Sequence, residues 1–232
     1  MYPIDKKMII GILAGMGPRS TAPFLEKVIE QCQKQYGAQH DIDYPHILIY
    51  SLPTPFFVDK PIDHKEMKKI VLQGIKKLEE AGVSFIAIPC NTVHIYFNEL
   101  QKSTKVPLLN IVKETIKEFP LDINKVTLFA TQTTIDSGLF QKELERKGIR
   151  YILKNEWQQH INKLIFFIKK GNNKEALKEI KQLVKKIDKE KVDTVIVACT
   201  DLQSIIGQIK SKVVVDSTSS LAKAVVKKYL NF

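Results

Sequence analysis

The sequence has no hydrophobic run long enough to cross a membrane. The chain has 232 residues and is 44% hydrophobic, yet each apolar segment is far shorter than the roughly 20 residues that a transmembrane helix needs. Met8–Ala14 follows a charged start, as in a signal peptide, but the turn Gly15–Pro18 ends it at once. We therefore predict a first strand over Met8–Leu13 and no membrane partner.

Cysteine is also scarce. The three cysteines, Cys32, Cys90 and Cys199, are far apart and form no CxxC pair, and the five histidines are scattered. This pattern excludes a disulfide framework and predicts no metal site. It is typical of a protein of the reducing cytoplasm.

Arginine is rare although the chain is strongly basic. Its net charge is +11, but only Arg19, Arg146 and Arg150 are arginines, and the lysine-rich segments contain no interleaved aromatic residues. Lysines that alternate with Leu, Ile and Val are typical of solvated helix faces, so we predict no nucleic-acid partner. A Gly-rich dinucleotide motif is missing as well, which predicts no organic cofactor.

Short apolar runs alternate with helical patterns along the whole chain. This alternation predicts an α/β protein with mainly parallel sheets. The pattern restarts at about residues 111–124, which indicates two similar domains and a weak internal duplication. The predicted strands are Met8–Leu13, His46–Tyr50, Phe85–Ile88, Val106–Asn110, Val126–Ala130, Arg150–Leu153, Thr194–Ala198 and Val213–Val215.

Two of the cysteines stand at matching places in this pattern. Cys90 follows the strand Phe85–Ile88 and precedes a helix predicted from Val93, and Cys199 follows Thr194–Ala198 and precedes a helix predicted over Leu202–Ile209. Ligands of open α/β sheets bind at the carboxyl ends of the strands. A helix N-terminus there favours a thiolate. The alternative is that each cysteine is a buried apolar residue without a chemical role.

A pair of facing thiols can invert a stereocentre. One thiolate removes a proton from carbon on one face, and the other thiol returns a proton on the opposite face. Lowering a thiol pKa by one to two units costs about 1.4 to 2.7 kcal/mol. The carbanion must also be stabilised, by hydrogen bonds to the substrate carboxylate. The candidates for those bonds are Asn91, Thr92, Thr131, Thr133 and Thr200.

Three turns allow two interpretations each. Gly15–Pro18 is either an anion site built from backbone N–H groups or a close-packed turn, with Ser20 and Thr21 capping the next helix. Thr131–Thr134 either binds a carboxylate or caps a helix. The proline-rich loop Ser51–Pro61 is either a pocket wall or a crossover that covers the core.

The motifs in this order resemble the aspartate/glutamate racemase family. The resemblance runs over nearly the whole chain, and its specific part is the pair of cysteine motifs. The matching segments are GILAGMGP at 11–18, PCNTVH at 89–94, ATQTT at 130–134, CTD at 199–201 and DST at 216–218.

The resemblance implies a cofactor-independent racemase that uses Cys90 and Cys199 as acid and base. It implies two αβα subdomains related by a pseudo-twofold axis, with the active site in the cleft between them, and a homodimer. The last helix is expected to rejoin the first subdomain, giving 1–112 with 214–232 and 113–213 as the two subdomains. Besides the residues above, the resemblance adds Met16, Lys169 and Asp201 to the substrate-binding set.

The chain departs from the family at the loop after the second strand. Aspartate racemases usually have an arginine there, whereas this loop reads SLPTPFFVDK. The missing arginine favours an amino acid less acidic than aspartate, unless Lys60 or Lys169 substitutes for it. Two alternatives stay open: an isomerase or decarboxylase of a non-amino carboxylic acid, and a non-catalytic small-molecule binding protein.

Overall fold

The computed structural model describes residues 8–57, 60–120, 123, 125–210 and 212–231. Val58 and Asp59 of the predicted proline-rich loop lie outside these ranges. The chain divides into two compact units, unit 1 with residues 1–114 and 218–232 and unit 2 with residues 115–217. The division predicted from the sequence differs from these bounds by a few residues at each junction.

Unit 1 is built on a four-stranded parallel sheet. Its strands lie in the order β2-β1-β3-β4. The register pairs Ala14 with Ser51 and Ala87 with Leu109, so the carboxyl ends of the strands share one edge. The strands are β1 Ile9–Ala14, β2 His46–Ser51, β3 Phe85–Ala87 and β4 Leu108–Leu109.

Helices follow each strand of unit 1. Their bounds are α1 Thr21–Tyr36, α2 His64–Glu80, α3 Phe97–Lys102 and α4 Ile111–Lys117, with 3-10 helices at Pro18–Ser20, Asp41–Asp43 and Thr92–Tyr96. The last three residues of α4 belong to unit 2. Asp63 caps α2 by accepting the N–H of Glu66 at 3.0 Å. Met67, Val71 and Ile75 repeat at helical spacing and bury their side chains against the sheet, which is the amphipathic pattern that anchors a helix.

Unit 2 has a three-stranded parallel sheet in the order β5-β6-β7. Its strands are β5 Val126–Ala130, β6 Thr194–Ala198 and β7 Val213–Asp216. Its helices are α5 Gln132–Asp136, α6 Leu139–Arg146, α7 Asn155–Lys169 and α8 Asn173–Lys189, with a 3-10 helix at Thr200–Gln208. The chain closes with α9, Ser217–Leu230, which belongs to unit 1 except for its first residue. The prediction of an α/β fold with parallel sheets is confirmed.

One predicted strand was wrong. The segment Arg150–Leu153 forms a single bridge between Tyr151 and Val126 instead of a strand. One pair of hydrogen bonds holds it, because the chain already turns into α7 at Lys154, whose carbonyl accepts the N–H of Trp157 at 3.0 Å. The helix predicted over Leu202–Ile209 is present as part of the 3-10 helix Thr200–Gln208.

The strands are arranged in the same way in the two sheets. In each unit the strand that precedes a candidate cysteine pairs directly with the first strand of that unit, β3 with β1 and β6 with β5. The bridge at Tyr151 stands where β2 stands in unit 1, on the other side of the first strand. Both cysteines therefore follow the central strand of equivalent arrangements.

Candidate active site

Cys90 lies in a tight turn at the carboxyl end of β3. Its N–H donates to the carbonyl of Ile88 at 2.8 Å, which bends the chain at Pro89. The thiol-bearing residue is partly exposed and packs against the core of unit 1, whereas Asn91 and Thr92 are buried. The turn thus exposes the cysteine and fixes its two successors.

The helix predicted from Val93 is present, and its first part, Thr92–Tyr96, is a 3-10 helix. The N–H of His94 donates to the carbonyl of Asn91 at 3.0 Å. The carbonyl of Cys90, which an α-helix would pair with that N–H, instead lies 2.8 Å from Nδ1 of the His94 ring. The ring is buried, which lowers the pKa of His94. In the sequence analysis His94 is only the last residue of the motif PCNTVH and has no role of its own. Its position four residues after Cys90 was the signal that could have shown a contact between them.

Tyr96 is a second residue that the sequence reasoning missed. Its hydroxyl lies 2.7 Å from Nδ1 of His64. Burial raises the pKa of Tyr96, and the negative charges of Asp63 and Cys90 raise it further. The raised pKa favours the neutral phenol of Tyr96.

The glycine-rich turn after β1 is close-packed. The N–H of Gly15 donates to Thr21 Oγ1 at 3.3 Å, and Ser20 Oγ donates to the carbonyl of Gly17 at 2.7 Å. Ser20 precedes α1 but makes no capping bond with its side chain. Met16 is partly buried against the core of unit 1.

The loop after β2 divides into a buried and an exposed part. The N–H of Leu52 extends the sheet by donating to the carbonyl of Ala14 at 3.0 Å, and Phe56 packs against the core. Phe57 is 53% exposed, and Lys60 Nζ lies 5.2 Å from the centre of its ring. The first part covers the core, and Phe57 presents an apolar face to solvent.

Cys199 lies at the carboxyl end of β6 in extended backbone. It is 6% exposed, and Thr200 is also buried. The carbonyl of Cys199 accepts the N–H of Leu202 at 3.0 Å, the i to i+3 bond that starts a 3-10 helix. Ile205, Ile206 and Gly207 are weak α-helix formers, which accounts for the 3-10 form of Thr200–Gln208.

Two of the predicted substrate-binding residues pair with each other. Lys169 Nζ at the end of α7 lies 2.9 Å from Asp201 Oδ2, and the Asp201 side chain is 9% exposed. The carboxylate two residues after Cys199 is therefore neutralised by a cation. Removing one partner of a sheltered pair leaves the other charge uncompensated.

The threonine-rich turn after β5 caps α5. Thr131 Oγ1 accepts the N–H of Thr134 at 3.2 Å and lies 2.9 Å from Thr134 Oγ1, so the capping interpretation applies to Thr131. The hydroxyls of Thr133 and Thr200 make no hydrogen bond with any residue in the described ranges.

Each unit thus gathers its candidates at the carboxyl edge of its own sheet. Unit 1 holds Met16 and the Cys90 turn, and unit 2 holds the Cys199 turn, the Thr131–Thr134 turn and the Lys169–Asp201 pair. Across the part of the chain with described coordinates, no cluster of three His, Cys, Asp or Glu side chains is suited to a metal ion. Within the same ranges, every helix is too short or too polar to cross a membrane.

A parallel α/β fold with cysteines after equivalent strands is the setting that the sequence motifs predicted. The sequence profile of the Asp/Glu/Hydantoin racemase family matches residues 13–225. The chain belongs to this family and is accordingly a racemase, an isomerase. The family resemblance seen in the motifs is confirmed.

Particular relatives support the same placement. The chain is 49% identical over 225 residues to the broad specificity amino-acid racemase RacX of Bacillus subtilis, covering 97% of this chain and 99% of RacX. The aspartate racemase of Picrophilus torridus matches with a TM-score of 0.81 and 28% identity, covering 96% and 94% of the two chains. An aspartate racemase homologue from Pyrococcus horikoshii matches with a TM-score of 0.75 and 29% identity, covering 95% and 98%.

Proposed function

We propose that this chain is a cofactor-independent amino-acid racemase in which Cys90 and Cys199 act as the two bases. One cysteine, as thiolate, removes the Cα proton of the substrate. The other, as thiol, protonates the carbanion on the opposite face and is left as thiolate. Solvent exchange or the reverse reaction then restores the starting protonation states.

The observation that carries this proposal is the equivalent placement of the two cysteines. Each follows the strand that pairs with the first strand of its unit, at the edge where parallel sheets present ligand-binding loops. Cys32 has no such place, because it is fully buried in the middle of α1. Burial raises the pKa of the Cys32 thiol, which disfavours the thiolate form that a proton acceptor needs.

Hydroxyl groups and the Lys169–Asp201 pair are the proposed binding groups in unit 2. Thr133 and Thr200 offer hydroxyls that bind no other described residue, and they suit a substrate carboxylate. Asp201, held by Lys169 at 2.9 Å, suits the substrate ammonium group. In unit 1, Met16 in the turn after β1 and Asn91 and Thr92, which follow Cys90, complete the proposed set.

We further propose that the enzyme accepts several amino acids in place of aspartate alone. The loop after β2 lacks an arginine, and the apolar Phe57 is among its exposed side chains. RacX, which is 49% identical, is described as a broad specificity amino-acid racemase. The homodimer and the cytoplasmic location implied by the motifs stay predictions.

The test is a panel of L- and D-amino acids in deuterated water without added cofactor, followed by chiral separation and mass detection. We expect inversion with one deuterium at Cα for several amino acids with neutral side chains, and slower inversion of aspartate. Deuterium is expected because the returning proton comes from a thiol that exchanges with solvent. A hydantoin and a non-amino carboxylic acid belong in the panel as competing substrate classes.

Two results would count against the proposal. Folded, reduced enzyme that inverts no amino acid but converts the carboxylic acid would favour the alternative isomerase or decarboxylase. Ligand-induced stabilisation without any turnover would favour a binding protein.

Replacing Phe57 by arginine should shift the preference towards aspartate. A charge-assisted hydrogen bond contributes about 1.5 to 3 kcal/mol, so the ratio of kcat/KM for aspartate to that for alanine should rise at least about tenfold. The measurement is the initial racemisation rate of both substrates. Phe57 is the suitable position because it is 53% exposed, whereas Phe56 packs against the core.

The matched control is Ile42→Arg. Ile42 is 71% exposed and belongs to unit 1 but lies outside the loop. Ile42→Arg therefore adds the same charge and leaves Phe57 unchanged. We expect its aspartate-to-alanine ratio to stay within about twofold of wild type, an effect of less than about 0.5 kcal/mol. Equal aspartate-to-alanine ratios in both variants would show that the loop does not contact the substrate side chain.

A further inference from the structure

The carbonyl oxygen of Cys90 is bound by a side chain where a helix would bind it with its backbone. His94 is four residues further on, and its backbone N–H donates to Asn91 instead. Nδ1 of its ring takes the vacated position, 2.8 Å from the Cys90 oxygen. The i to i+4 bond of an α-helix is thus replaced by a ring that reaches back along the chain.

The hydrogen bonds define which ring nitrogen carries the proton. The N–H of Ile111 donates to Nε2 at 3.1 Å, so Nε2 must be the unprotonated nitrogen. The carbonyl of Leu109 is farther from Nε2, at 3.3 Å, and the fixed backbone N–H of Ile111 takes precedence. Nδ1 therefore carries the proton and donates it to Cys90.

The ring also joins the Cys90 turn to a second element of the sheet edge. Ile111 is the first residue of α4 and follows β4, the strand that pairs with β3. His94 is 2% exposed, and its ring stacks on Phe97 with 5.7 Å between centroids and 10° between planes. Packing on one face and hydrogen bonds at both nitrogens leave the ring one orientation.

From this geometry we infer that His94 is a positioning residue: its neutral ring bridges the carbonyl of Cys90 and the N–H of Ile111, and so fixes the Cys90 thiol for proton transfer. The inference deepens the proposed function and rests on it for the role of the thiol. His94 need not reach the substrate, because it acts through the backbone of Cys90.

Proton transfer requires an accurately placed thiol, and the His94 bridge would hold Cys90 in place. A displacement of about 1 Å of a reacting group can lower a rate about a hundredfold. Without the His94 ring, the carbonyl of Cys90 becomes free to pair with the backbone N–H of residue 94 as in an α-helix. The turn would then rewind, and Cys90 would move with it.

Two substitutions of His94 test its two hydrogen bonds one at a time. His94→Asn keeps a donor near the Nδ1 position, towards Cys90, and loses the acceptor for Ile111. His94→Gln keeps an acceptor near the Nε2 position, towards Ile111, and loses the donor. We expect kcat to fall about a hundredfold in His94→Gln and less than about tenfold in His94→Asn, with KM within about threefold of wild type in both. Thermal melting is measured alongside.

Alkylation by iodoacetamide tests the position of the thiol without any substrate. The rates at Cys90 and Cys199 are followed at pH 7 by peptide mass spectrometry, with Cys199 of unit 2 as the internal reference. A positioned thiolate reacts faster than an unpositioned thiol, so the Cys90 to Cys199 ratio should fall at least about fivefold in His94→Gln. In His94→Asn it should stay within about twofold.

The outcomes separate this inference from the proposed function. Equal effects of the two substitutions on kcat and on the alkylation ratio, or losses that simply follow the melting temperature, would overturn the positioning role. So would nitrogen NMR of the wild-type enzyme showing the proton on Nε2 of His94 at pH 7. Wild-type enzyme that racemises no amino acid would overturn the proposed function, while the alkylation ratio and the NMR spectrum would still decide the role of His94.

Discussion

Replacing either Cys90 or Cys199 by alanine should abolish racemisation, with kcat lowered at least about a thousandfold. Loss of one general acid or base typically costs about 10² to 10⁴ in rate, and here each direction of the reaction needs both thiols. The remaining cysteine can still remove and return a proton on its own face. Each variant should therefore exchange the Cα proton of one enantiomer for deuterium without inversion, and the preferred enantiomer should differ between the two variants.

Cys32→Ala is the matched control for these two variants. Cys32 is fully buried in α1, and burial raises the pKa of its thiol. We expect kcat within about twofold of wild type, since a core substitution of this kind acts on stability and leaves the chemical step intact. Two-way inversion by Cys90→Ala or Cys199→Ala would contradict the two-base mechanism, and a comparable loss in Cys32→Ala would contradict the choice of cysteines.

The strands that carry the candidate site could be predicted because their burial leaves a simple signal. β5 and β6 begin and end at the predicted residues, and every residue in them is buried. A parallel strand covered on both faces is a nearly continuous apolar segment of the sequence, and a polar residue then marks its end. Cys199 and Thr131 were located by that change of polarity.

The form of the segments after the cysteines could not be predicted in the same way. Apolar periodicity distinguishes a helix from a strand, but it does not show which group binds each carbonyl. In the Cys90 segment the competing donor is the His94 ring, whose orientation depends on Ile111 and Phe97. That dependence is tertiary, so the sequence pattern predicted a helix but not its 3-10 form.

The ion pair between two of the candidate site residues could not be predicted from the sequence either. Lys169 and Asp201 were each predicted to bind substrate. The ion pair between them depends on the packing of α7 against the Cys199 turn. Long-range ion pairs have no local spacing rule of the kind that helix neighbours at i and i+4 have. The sequence identified both charges but not that each compensates the other.

Gly15→Ala should destabilise the protein more than Gly37→Ala or Gly207→Ala does. Gly15 has φ of +90°, and a Cβ at this position would lie 2.5 Å from the nitrogen and 2.7 Å from the oxygen of Leu52. A left-handed backbone costs an alanine about 1 to 2 kcal/mol, and forcing an atom into a packed site costs about 1 to 3 kcal/mol more. The free energy of unfolding should therefore fall by about 2 to 5 kcal/mol.

The two other glycines separate these contributions. Gly37 has φ of +74° with no atom within 4 Å of its Cβ position, and Gly207 has open space without a positive φ. Gly37→Ala should cost only the backbone contribution of about 1 to 2 kcal/mol, and Gly207→Ala should be within about 0.5 kcal/mol of wild type. Urea unfolding of the three variants measures the series.

The steric part of the Gly15 effect should also reach the candidate site. The atoms that the new Cβ would meet belong to Leu52, whose N–H pairs with the carbonyl of Ala14 and holds the start of the loop after β2. The substitution therefore pushes that loop away from the turn that contains Met16, at the sheet edge shared with Cys90. We expect kcat/KM at a temperature where the variant is folded to fall at least about tenfold, whereas Gly37→Ala keeps wild-type activity. If Gly15→Ala and Gly37→Ala lost equal stability and no activity, the contact with Leu52 would be unimportant, and backbone conformation alone would explain the glycine.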